Sequence, residues 1–75
     1  MESFQGFCSD IDNAKSITEI RLILKYSAYK HDKSLIRTLK NLLDAYEGKH
    51  RQVGHRFNAL KDNLKSEVKK YYQIE

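Results

Sequence analysis

Residues 53–71 read VGHRFNALKDNLKSEVKKY, and their spacing decides the fold. Val53, Phe57, Leu60, Leu64, Val68 and Tyr71 recur at steps of four, three, four, four and three, which lays one apolar stripe along a helix. That stripe is a near-heptad seam with one slip, suited to pairing with another helix. Carried back to Lys49, the helix holds about 26 residues and extends ~39 Å.

Working outward from the seam, Gly48 suits the end of a preceding helix. That third helix carries Leu35, Ile36, Leu39, Leu42, Leu43 and Tyr46 at helical spacing, with Asp32 or Ser34 as its cap. Before it, Ser16 and Glu19 form a capping-box pattern, and Ile20, Ile23, Leu24 and Ser27/Ala28 define one face of a second helix. Phe4, Phe7, Ile11 and Ala14 mark a first helix, which Gly6 weakens by about 1 kcal/mol. The expected elements are helices at about 3–14, 17–29, 34–46 and 49–73. The fold class is all-α: an antiparallel helical hairpin or coiled coil of three to four helices with a long C-terminal helix. Helices one and two run outward, helix three turns, and helix four returns, which puts the middle of the chain at a tip.

Seventy-five residues make one domain, with room for a core but not for a catalytic cavity. No proline and three glycines argue against a turn-rich β fold. Hydrophobic residues at 40% set the chain apart from disordered sequences, and the longest apolar run, Leu22–Leu24, is far short of a membrane span. No apolar leader follows Met1, and a cytoplasmic setting is expected. Cys8 has no second cysteine to pair with and reads as a small buried hydrophobe. His50 and His55 stand five apart, the wrong spacing for two ligands on one helix face, and His31 stands alone, so no metal site is expected. No nucleophile–base pair and no phosphate-cradling glycine loop is present, so no catalytic residue is named.

The net charge of +4 is unevenly spread: −2 over residues 1–24, +4 over 25–51 and +2 over 52–75. Clustered Lys and Arg attract nucleic-acid backbones through counterion release. The candidate contacts are Lys30, Lys33, Arg37, Lys40, Lys49 and Arg51, with Tyr29 in the turn as the one tyrosine placed to stack on a base. Solvation of a helical surface is the bland reading of the same lysines. Arg56, Lys61, Lys65 and Lys69 step along helix four and read as a solvated flank with Asp62 and Glu67 as intrahelical partners. Tyr26 and Tyr46 fall at core-facing spacing.

From Ile11 to Val68 the chain resembles the N-terminal domain of the bacterial-type phenylalanyl-tRNA synthetase α subunit. Asn13-Ala14-Lys15, then Ile17-Thr18-Glu19-Ile20, Tyr26 and Leu35–Leu43 occur in the family's order. Arg51, Gly54, Asn58 and Lys61 match its R-x-x-G-x-x-x-N-x-x-K on the returning helix. Where the family has L-G-K-K-G, this chain has Ser27–Lys33, two residues longer and without glycine. The resemblance implies a tRNA-binding coiled-coil arm that contacts the outer surface of the tRNA. It also implies a synthetase catalytic domain and β subunit as partners, with ATP and Mg²⁺ bound only in that separate catalytic domain and no cofactor in these residues. Gly54, Asn58 and Lys61 would be structural at the hairpin. A free-standing relative that competes for the same tRNA surface fits the same residues. The alternative reading is a protein–protein module that docks or homodimerises through the helix-four seam.

Overall fold

Ser16 fixes the start of the second helix as its residue type requires: the backbone there is extended, and its hydroxyl accepts the Glu19 N–H at 3.2 Å. The computed structural model describes residues 4–49 and 54–73, and these form four α-helices with no strand. They are α1 (Phe4–Asn13), α2 (Ile17–Tyr26), α3 (Lys33–Lys49) and α4 (Gly54–Tyr72). The class is all-α. Gly6 is accommodated inside α1 because Phe7 and Ile11 anchor that helix in the core.

The helices close into a ring in which α1 packs on α2, α2 on α3, α3 on α4 and α4 back on α1. Contacts between named residues fix the directions. Tyr46 near the end of α3 meets Phe57 near the start of α4, and Tyr72 at the end of α4 meets Asp32 just before α3. Asp12 at the end of α1 meets Lys65 in the middle of α4. Successive helices therefore run up, down, up and down around one core. Phe7, Ile11, Ile20, Leu39, Leu43, Leu64 and Val68 are each 0% exposed within it.

Three expectations change. α2 ends at Tyr26 rather than at 29, because Ser27 turns extended and its hydroxyl donates to the Leu24 carbonyl at 3.1 Å while accepting the Tyr29 N–H at 3.2 Å. α3 runs through Gly48 to Lys49 rather than ending at 46, and α4 is described over Gly54–Tyr72, with residues 50–53 outside the described residues. A glycine in a last turn costs little when Leu39, Leu43 and Tyr46 already hold the helix down. The described helices pack within 32 × 22 × 22 Å as a four-helix bundle, so helices one and two do not run outward together and the middle of the chain does not project as a tip, because each helix buries a face in the shared core.

The seam offered to a second copy is also not free. Phe57, Leu60, Leu64 and Val68 are all buried in the chain's own core, where α1 and α3 cover α4. A homodimer through that seam would have to unpack α1.

Candidate nucleic-acid interface

The turn between α2 and α3 is built without glycine. Lys30 N–H bonds to the Ser27 carbonyl at 3.2 Å and Asp32 N–H to the Tyr29 carbonyl at 2.9 Å. No residue in it takes a positive φ, which is why the missing glycines are tolerated. Asp32 stands at the N-cap of α3, its carbonyl accepting the Ile36 N–H at 2.9 Å, and its carboxylate accepts the Tyr72 hydroxyl. Tyr29 packs edge-on against Phe7 with centroids 5.2 Å apart and lies 5.4 Å from Tyr72. The tyrosine expected to stack on RNA is instead half-buried, and it pins the turn to α1 and α4.

This rigid turn starts a basic groove. Lys33, Arg37 and Lys40 fall at i, i+4 and i+7 on one face of α3, about 10 Å from first to last. Lys30 from the turn and Lys25 from α2 line the opposite side, over Leu24 and Ile36. Lys30, Lys33, Arg37 and Lys40 enter no ion pair among the described residues. The groove ends at Arg21, whose guanidinium bonds to Asp44 at 2.7 Å and to Glu47. The bond to Glu47 first, then that to Asp44, raises the Arg21 pKa above its ordinary value. One cation against two carboxylates leaves that end net negative. These exposed side chains contribute little to stability, but they bound the cationic stretch.

The expected set is therefore divided. Lys30, Lys33, Arg37 and Lys40 lie together. Lys49 closes α3 at the far end, beyond the Arg21 cluster and 16 residues, roughly 24 Å, from Lys33, and Arg51 lies outside the described residues. Lys25 belongs to the groove and was not singled out from the sequence. Its signal is the i, i+4 step from Arg21, which identifies a shared flank but not the neighbour that the flank faces.

No family model, curated protein or solved structure matches this chain. The likeness to the synthetase arm rests on the residues quoted above.

Lys61 and Lys65 on α4 do structural work. Lys61 is buried at 8% exposure, donates to the Asp12 carbonyl at 3.0 Å and sits 4.8 Å from the centre of the Phe57 ring. An ammonium on an end-of-helix carbonyl satisfies an orphan acceptor and complements the α1 dipole. Lys65 reaches the Asp12 carboxylate at 2.6 Å and Asp62 at 3.4 Å. The hydrogen bond to Asp12 is the main cause of its raised pKa, so its contribution is intact at neutral pH and is lost as pH rises through that raised value. Asn58 is exposed, and no hydrogen bond among the described residues involves its side chain. Burial pushes the Cys8 thiol up, against a nucleophilic role. Among the described residues, no group of three His, Cys, Asp or Glu side chains gathers to hold a metal, and no helix is long and apolar enough to cross a membrane.

Lys61→Met keeps the apolar stem and removes the ammonium. It is expected to cost about 1 kcal/mol, a fall of roughly 5 °C in Tm by thermal circular dichroism. Affinity for RNA should not change; a loss of binding in the folded variant would move Lys61 into the interface.

Proposed function

We propose that this chain is an RNA-binding helical module that grips the backbone of a structured RNA, with tRNA as the target. Lys25, Lys30, Lys33, Arg37 and Lys40 supply the contacts. In its narrower form the reading is a tRNA-binding appendage of a phenylalanyl-tRNA synthetase α subunit, with aminoacylation carried out by a separate catalytic domain. The observation that carries the proposal is the contrast between two sets of cations. Lys61, Lys65 and Lys70 on α4 are engaged within the protein, whereas the α3 row and Lys30 enter no ion pair among the described residues. Phosphates bound there would release counterions without first breaking a salt bridge. Lysines and one arginine along a shallow groove contact backbone more than base edges, so the module contributes affinity and orientation rather than sequence choice.

Titration of a labelled tRNA at 50 and 200 mM salt tests this. Five phosphate contacts predict a fall of roughly 500-fold in affinity across that range. Binding should also favour tRNA over a DNA duplex of equal phosphate count. Equal binding to both would reduce the groove to generic basicity. No binding at 50 mM salt would contradict the proposal.

A further inference from the structure

Tyr26 is the most exposed large hydrophobic residue described, at 69%, although its place in the sequence suggested a core position. It closes α2 immediately before the buried Ser27, and it lies two residues from Leu24, about 200° around the helix from the buried face. Its neighbour Lys25 lines the basic groove and holds its ammonium 5.6 Å from the centre of the Tyr26 ring. The cationic row therefore ends on an aromatic ring open to solvent.

The other exposed apolar side chains lack that setting. Tyr71 and Tyr72 lie against each other with centroids 4.9 Å apart, and Tyr72 also contacts Tyr29. Leu22 lines the cleft between α1 and α2, beside Asp10 and Glu19, whose charges repel a phosphate backbone. An aromatic face next to unneutralised lysines is the arrangement with which proteins hold an unpaired base while its phosphates are gripped alongside.

Resting on the RNA-binding reading, we propose that Tyr26 is a stacking platform for an unpaired base, so that the preferred ligand is a duplex RNA interrupted by a bulged or looped nucleotide. The base lies on the Tyr26 ring, and Lys25, on a flexible four-carbon stem, moves to the adjoining phosphate. The helix on one side of that base continues along Lys30, Lys33, Arg37 and Lys40. Recognition then depends on the presence of an unstacked base more than on its identity, because every base has a π-face.

The test compares a blunt RNA duplex with the same duplex carrying one unpaired adenine, against the wild-type chain, Tyr26→Ala and Tyr26→Trp. The wild type should bind the bulged RNA roughly 5- to 100-fold more tightly than the blunt one. Tyr26→Ala should bind both at the blunt-duplex level, and Tyr26→Trp should restore the preference. Wild-type binding to both duplexes with equal affinity would overturn the Tyr26 assignment and leave the backbone-binding reading intact. A bulge preference retained by Tyr26→Ala would overturn it too. If the wild type binds neither duplex, the RNA reading fails and this inference fails with it.

Discussion

Leu64→Ala is expected to lower Tm by roughly 15–20 °C or to leave the chain unfolded at 25 °C. Leu64 is 0% exposed on α4, inside the single core that all four helices share. Removing a buried leucine side chain costs about 3 kcal/mol through lost transfer energy and the cavity left behind. A 75-residue domain has only about 4–11 kcal/mol in total. Each kilocalorie per mole moves Tm by about 4–8 °C in a domain of this size. Leu22→Ala removes the same atoms from a side chain that is 50% exposed, and should change stability by no more than about 0.5 kcal/mol. Thermal circular dichroism of the pair checks both, and similar losses would mean that α4 is not packed as described.

Reversing two charges on the α3 face should have the largest effect on binding. Arg37→Glu with Lys40→Glu replaces two phosphate contacts with two repulsions, and affinity for a structured RNA is expected to fall by about 100-fold or more at 100 mM salt. Both side chains are exposed and outside any ion pair among the described residues, so folding should be nearly unaffected. The new carboxylate at position 40 faces Asp44 one turn away and costs a few tenths of a kilocalorie per mole, about what a like-charged i, i+4 pair does. The matched control is Lys15→Glu with Lys69→Glu, which changes the net charge equally but lies off the groove. If the control loses as much affinity, binding follows net charge rather than this face.

Much of the fold is legible in the residues. The Phe57–Leu60–Leu64–Val68 part of the α4 stripe, the Ser16 cap and the Leu35–Leu39–Leu43–Tyr46 run each agree with what the structure shows, because local spacing and the core select the same positions, whereas Tyr71 at the end of the stripe is exposed. Helix ends are less legible. Gly48 looks like a stop, but the packing of α3 carries the helix past it, and tertiary contacts of that size outweigh glycine's propensity cost. The exchange between Tyr26 and Tyr29 has the same origin. Ser27 ends α2 with its own hydroxyl, which leaves Tyr26 on the outside and swings Tyr29 inward onto Phe7.

The candidate site was half legible. A basic stretch shows in the charge count, but the count cannot separate lysines that meet a helix end, such as Lys61, from lysines that meet solvent. Position 49 joins position 33 in sequence charge, yet α3 holds them at opposite ends with the Arg21 carboxylate cluster between. Lys25 enters only when α3 is seen beside α2.

The most direct measurement is a two-dimensional NMR titration of the isotopically labelled 75-residue chain with tRNA. Amide shift changes should concentrate at Lys25, Tyr26, Lys30, Lys33, Arg37 and Lys40, with α1 and the middle of α4 unmoved and the shifts reversed by added salt. Changes centred on α1 or on Lys61 and Lys65, or no changes at RNA concentrations that saturate binding, would contradict the proposed interface.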